Sequence, residues 1–211
     1  LVIVYVIILA MNAHDQTKRM LDLQSLLNNF YVIERQIFLP ADTERKETDT
    51  EHSYHLAMHA WYMSTLYPSL NQSKLIRYAL AHDLVEIYAG DVMALGRTDA
   101  QQHEKEQKEQ AALERLTTEW PDFTDMTTMI EDYEKQTDPE AVFVKALDKI
   151  MPVILNIQTN GNLWKQLGIR RADIIANKDK STAGSPEVGE LWAMFRNYIL
   201  EHDELFNPDC I

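Results

Sequence analysis

After Thr17 the apolar residues recur three and four apart through most of the chain, the spacing that lines one face of a helix. Met20, Leu21, Leu23, Leu26, Leu27, Phe30 and Tyr31 form the first such stripe. Pro40 and the polar run ADTERKETD follow, so residues 38 to 49 read as a loop. Helices are expected from about Glu51 to Leu66, stopped by Pro68, and from about Ser73 to Tyr88, stopped by Gly90. Residues 98 to 119 are rich in Gln, Glu and Lys and predict a mostly exposed helix; a shorter one spans 122 to 135. Asp138-Pro139-Glu140 sets a proline just inside a helix start, and the apolar run Ala141 to Asn156 predicts a buried helix. Asn160-Gly161-Asn162 marks a turn. Short helical pieces near Trp164 and Ala172 then precede a last helix from about Glu187 to Glu204. No useful period-two pattern appears after residue 10, so the expected fold class is all-α, one domain over residues 11–211 without internal repeats.

Residues 1–10, LVIVYVIILA, are apolar throughout and need separate treatment. As a helix they would cover about 15 Å of a hydrocarbon core of about 30 Å, too little to span it. They lack the basic start and small-residue cleavage site of a secretory signal. They read as a non-native or extra apolar segment, with Met11 as the natural start; an extra packed segment and a truncated membrane anchor are the alternatives. The chain has one cysteine, Cys210, which excludes an internal disulfide framework and a Cys-based zinc site and points to the cytoplasm. A net charge of −13 argues against a nucleic-acid polymer or an acidic membrane as partner. Most of that excess is local: residues 101 to 140 hold 12 acidic and 4 basic residues, the pattern of a solvated helix face.

No glycine-rich phosphate loop, Cys-x-x-Cys pair or Gly-x-Ser-x-Gly elbow is present, so dinucleotide binding, P-loop chemistry and serine hydrolysis lack support. His82-Asp83 stands out instead, two polar residues inside the apolar helix YALAHDLVEIYAGD, where a buried charge is expensive unless paired or ligated. Glu86, four residues after His82, projects over the same patch. His52 opens the helix EHSYHLAMHAW, and Asp148 interrupts VFVKALDKIMPVIL four residues before Pro152, where a kink is expected. Singly, each has an ordinary structural explanation: His52 as a helix-start residue, Asp148 paired with Lys145 or Lys149, His82-Asp83 as a satisfied core pair. His55 and His59 read as packed or surface histidines. Together, two imidazoles and two carboxylates suit one divalent cation such as Mn, Co, Mg, Fe or Zn.

Glu51-His52-Ser53, His82-Asp83-x-x-Glu86 with Gly90-Asp91, and Ala146-Leu147-Asp148-Lys149 resemble the H…HD…D signature of the HD-domain metal-dependent phosphohydrolases. The forms EHS and HDLVEIYAGD are similar to the branch containing bacterial 5′-deoxynucleotidases. The resemblance runs from about Glu34-Arg35 to GSPEVGELW. It implies an HD-domain helical bundle in which His52, His82, Asp83 and Asp148 bind the metal. It also implies that Glu86 is a catalytic or water-orienting carboxylate and that Asp91, the second catalytic candidate, lies near the substrate or its attacking water. Arg35, or next Arg45, matches the arginine that contacts phosphate, and Lys149 would help neutralise phosphoryl oxygens. In the deoxynucleotidases a tryptophan follows that arginine; here the chain reads Arg35-Gln36-Ile37-Phe38, which leaves sugar selectivity open.

The expected activity is release of phosphate from small nucleotides, first 5′-(deoxy)nucleoside monophosphates, by a metal-activated water. Another phosphoester or a pyrophosphate is the alternative within the class. A non-catalytic protein whose metal staples the bundle, or one that binds nucleotides as a sensor, is the alternative outside it. Two-metal relatives carry further histidines between the HD pair and the last aspartate. Only His103 lies there, in a polar stretch, so a single metal is expected. Proteins of this branch often associate as homodimers.

Overall fold

The computed structural model describes residues 13–40, 42, 44–90 and 98–211. The reading of residues 1–10 therefore lies outside the described residues. The elements run α1 (Ala13–Phe30), β1 (Glu34–Phe38), β2 (Lys46–Thr48), α2 (Asp49–Leu66), α3 (Gln72–Ala81), α4 (Glu86–Ala89), α5 (Asp99–Glu119), α6 (Thr124–Lys135), α7 (Pro139–Gln158), α8 (Asn162–Gln166), α9 (Arg171–Thr182) and α10 (Pro186–Glu201). The all-α expectation holds, with one small addition.

That addition is an antiparallel hairpin in place of the expected loop: Glu34 pairs with Thr48 and Phe38 with Lys46, with an irregularity between. Strands of five and three residues are too short for a period-two signal to emerge from sequence. They are held by tertiary packing of β1 on α7. A second difference lies at His82. α3 stops at Ala81, and residues 82–85 form turns before α4 begins. His82-Asp83 therefore sits at a helix end rather than mid-helix, where i+3 bonds such as Leu84 N to Ala81 O at 3.1 Å tighten the chain.

α7 forms the axis of the bundle. Asp138 caps its start, its side chain accepting from the Ala141 amide at 2.9 Å, and Pro139 occupies the first turn. Phe143, Val144, Leu147, Ile150 and Met151 are buried along it, and α2, α3, α6, α9 and α10 pack around it. The helix continues through Pro152 to Gln158. It ends at Asn160 and Gly161, both left-handed (φ 53° and 69°); a Cβ at Gly161 would collide with the Leu205 carbonyl, so only glycine fits. α1 departs from its predicted stripe: Leu26 and Phe30 are buried, but Met20, Leu21 and Tyr31 are exposed. Leu26 and Phe30, four residues apart, are its buried rungs, with Leu23 packed beside the core and Arg19 bonded to Asp122 and lying over the Trp120 ring. Among the described residues no helix is long and apolar enough to cross a membrane.

Candidate metal centre

α2 opens with a capping box. Thr48 Oγ1 accepts from the Glu51 amide at 3.3 Å, and Glu51 Oε2 accepts from the Thr48 amide at 2.9 Å, satisfying donors that a helix start leaves open. This sets the phase of the helix so that His52 takes the first inward rung, followed by Leu56, Ala60 and Met63, all buried. His82 follows Tyr78 and Ala79 on the inward side of α3 and closes that helix. Asp148 lies on α7 between the buried Val144, Leu147 and Met151.

These segments meet. One nitrogen each from His52 and His82 and one oxygen of Asp83 lie within 4.8 Å of one another. Asp83 Oδ2 is 3.0 Å from His82 Nε2 and 4.0 Å from His52 Nε2, and Asp148 Oδ1 is 3.0 Å from His52 Nε2. The two imidazole rings are 5.4 Å apart, and the Tyr133 ring packs on His82 at 5.1 Å. His82 Nδ1 donates to the Ala79 carbonyl at 2.9 Å, which leaves the lone pair on Nε2. That nitrogen is buried and makes no hydrogen bond. A buried lone pair facing a carboxylate is unfavourable unless a cation lies between them, and a backbone bond on the far ring nitrogen is the usual way a ligating histidine is oriented. The donor set therefore fits a divalent metal ion.

The electrostatics agree with that demand for positive charge. Burial works against ionised Asp83, but the surrounding positive charge, the Arg35 guanidinium among it, outweighs it and holds the carboxyl well below its ordinary range. Burial likewise opposes ionised Asp148, where Lys149 and His52 prevail. His52 is pushed up to about 9: burial and Arg35 pull it down, and the neighbouring carboxylates of Asp148 and Glu47 overcome both.

A second layer surrounds the donors. Arg35 on β1 sends Nη1 to Asp83 Oδ2 at 2.9 Å and to Asp49 Oδ1 at 3.3 Å, with Nε 3.5 Å from Glu47 Oε2. Glu47 in turn stands 3.6 Å from His52 Nδ1 and 3.2 Å from His55 Nδ1. Lys149 Nζ donates to Asp148 Oδ2 at 2.6 Å, and the Tyr133 hydroxyl donates to the same oxygen at 3.5 Å. The hairpin thus carries Arg35 and Glu47 to the cluster, with Asp49 just beyond it at the start of α2.

Of the residues singled out in the sequence, His52, His82 and Asp83 come together, Asp148 joins through His52, and Arg35 and Lys149 touch the donor carboxylates. Arg45 does not join them. Its guanidinium grips Glu51 at 2.7 and 2.9 Å near the surface, and that bond holds the Glu51 carboxyl down at about 2. Glu86 is buried on α4, outside the trio, and its Oε1 accepts from Lys105 at 3.2 Å. Asp91 lies outside the described residues. His59 bonds the His55 carbonyl, and the exposed His103 contacts Gln107 on its own helix. Glu47, Asp49, Tyr133 and Lys105 escaped the sequence reading. Glu47 and Asp49, two apart in a short extended run, and Tyr133, on the inward stripe with Met126, Met129 and Ile130, left faint periodic signals.

A family model described as HD domain matches residues 7–189. The 5′-deoxynucleotidase HDDC2 of Xenopus laevis is 34% identical over 179 residues, covering 82% of this chain and 84% of that protein. The protein of the same name from Homo sapiens is 30% identical over 110 residues, about half of either chain (51% and 52%). The crystal structure of a predicted metal-dependent phosphohydrolase from Magnetospirillum magnetotacticum MS-1 superimposes with a TM-score of 0.74 at 26% identity, over 93% of this chain and 99% of that one. With a helical bundle and a two-histidine, one-aspartate cluster at the positions of the signature, this chain belongs to the HD domain family.

Proposed function

We propose that this protein is a metal-dependent phosphohydrolase that releases phosphate from small nucleotides, with 5′-deoxynucleoside monophosphates as the first class to expect. The observation that carries this reading is the convergence of His52, His82 and Asp83 from two segments onto one buried point, with Asp148 in contact and Arg35 and Lys149 beside it. The names of the relatives support nucleotides as the substrate class.

In this reading His52, His82, Asp83 and Asp148 hold one divalent ion. Such an ion supplies polarising charge at the phosphoryl group and activates water for attack. The protein's own groups do the rest. Glu86, one turn beyond His82 and steadied by Lys105, orients the attacking water and accepts its proton. Arg35 and Lys149 set positive charge where negative charge develops on the phosphoryl oxygens, which matters in a chain of net charge −13. Arg45 serves from the rim, and Asp91 acts near the substrate or its attacking water. The single cysteine supports a cytoplasmic setting, and the net negative charge supports the absence of nucleic-acid polymers or membranes as partners. An exposed apolar strip on α2, with Tyr54, Met58, Trp61 and Tyr62, supports a homodimer.

The test is a panel of nucleoside mono-, di- and triphosphates, ribo and deoxy, offered with several divalent cations and scored by free phosphate. Metal-dependent release from monophosphates is the expected result. Undiminished turnover in excess chelator would overturn the reading.

A further inference from the structure

We propose that Glu47 is a positioning residue for the metal centre: its buried carboxylate faces the far ring nitrogen of His52, turns Nε2 toward Asp83 and Asp148, and makes that imidazole a stronger donor than an uncharged acceptor would. The inference rests on the donor set of the reading above and adds a residue from the hairpin, which supplies no metal donor.

Glu47 occupies the middle of β2, between the partly exposed Lys46 and Thr48. Alternation along the strand sends its side chain to the opposite, inward face, where the residue is 1% exposed. β2 packs on α2, the helix that His52 opens. The two carboxylate oxygens meet different partners. Oε1 accepts from His55 Nδ1 at 3.2 Å, whereas Oε2 lies 3.5 Å from Arg35 Nε and 3.6 Å from His52 Nδ1.

The two candidate histidines meet one requirement in two ways. Each directs Nε2 into the cluster, so each needs an acceptor for the proton on Nδ1. For His82 the acceptor is the Ala79 carbonyl at 2.9 Å. His52 is fully buried, and among the described residues its Nδ1 makes no hydrogen bond. A buried N–H without an acceptor is costly, and Glu47 Oε2 is the carboxylate oxygen that faces it. A short closure toward the ring completes the bond.

Charge balance points the same way. The one guanidinium of Arg35 faces three carboxylates, Glu47, Asp49 and Asp83, at 3.5, 3.3 and 2.9 Å. One positive charge shared among three acids leaves negative charge to be matched from the His52 side. With a cation on Nε2, the Nδ1–H bond is polarised toward Glu47, and the carboxylate returns electron density to the donor nitrogen. Ring orientation and ring basicity then come from the same residue.

The experiment titrates the full chain, stripped of metal, with Co(II) and with Mn(II) in wild type, Glu47→Gln, Glu47→Asp and the donor variant His82→Ala. Glutamine keeps the size and an acceptor oxygen and removes only the charge. Glu47→Gln is expected to keep its helical circular dichroism, to bind either ion about tenfold more weakly and to shift the visible band of bound Co(II). Phosphate release lost at limiting metal should return as metal is raised, so the effect falls on the metal requirement and not on kcat. Glu47→Asp keeps the charge but draws it back by one methylene; its affinity should fall between the two, and it supplies the measurement if the glutamine variant does not fold. Wild-type affinity in these folded Glu47 variants, with His82→Ala unable to bind, would overturn the role of Glu47 and leave the donor set standing. Equal binding by wild type and His82→Ala would sink the donor set itself, and the role of Glu47 with it.

Discussion

Two regions of this protein are dense in charge, and they behave oppositely. On the exposed face of α5 charged side chains pair within one turn: Lys108 with Glu104 and Arg115 with Glu119, each at 2.7 Å, largely in solvent. In the metal centre the contacts join residues far apart in sequence, Asp148 to His52 across 96 positions and Arg35 to Asp83 across 48, and most of the groups are buried. Solvent screens the first set, so its members are nearly interchangeable. The second set is held only because each charge has a partner, and removing one strands the others. Charge density by itself therefore says little about function. Burial combined with sequence distance says much more.

The sharpest way to break the contrast is to remove the hub of the second layer. Arg35→Ala leaves Glu47 and Asp49 buried beside Asp83 without the guanidinium, and denaturant melts should show a loss of about 3–5 kcal/mol. An Arg35→Ala protein as stable as wild type would mean that the buried layer tolerates loss as the surface does. His82→Ala removes a donor outright. Because loss of groups that merely orient ligands costs ~10–100-fold in affinity or activity, phosphate release should fall by more than ~100-fold and bound metal should drop with it, read by elemental analysis. Glu86→Gln separates ligand from catalyst: metal content stays, and turnover falls by about 100-fold. A Glu86→Gln protein that kept its rate would return Glu86 to a structural pairing with Lys105.

Acid and base give a smaller, signed effect. In metal-free protein the His52 pKa is raised from 6.5 to about 9, so protonated His52 stabilises the fold. That contribution is complete below pH 6.5 and is lost as pH rises through about 9. Metal binding needs the neutral imidazole, so added metal should reverse the trend and gain affinity as pH rises. Melting curves with and without chelator between pH 6 and 10 check both slopes; parallel slopes would remove His52 from the donor set. The smallest effect belongs to the surface. Exchanging Glu104 and Lys108 together for Gln should leave the melting temperature and phosphate release unmoved, and a clear loss of activity would show that the exposed face of α5 takes part in function as well as Lys105.

Much of this molecule was legible before any coordinates. Three- and four-residue spacing reveals a helix because that period repeats over many residues, and Pro68, Asp138-Pro139 and Gly161 punctuate it with local stereochemistry. The hairpin was hidden because its two strands owe their pairing to packing on α7. The stripe on α1 overstated burial, since periodicity reports which face is apolar and not how far a neighbour reaches. In the same way, His52, His82, Asp83 and Asp148 were conspicuous as polar residues in apolar runs, whereas Glu47 and Asp49 sat among other charged residues and looked like solvent-facing positions.

The chain alone determined most of the helical elements and the oddly placed donors, because those follow from interactions within a few residues, though not the break at His82 that ends α3 early. Only the tertiary structure decided that a bare His82 nitrogen faces Asp83 and that Arg35 serves the buried carboxylates while Arg45 stays with Glu51. The reason is desolvation. The energy of a charge is set by what packs around it, and that neighbourhood is assembled from segments whose distance along the chain carries no local signal.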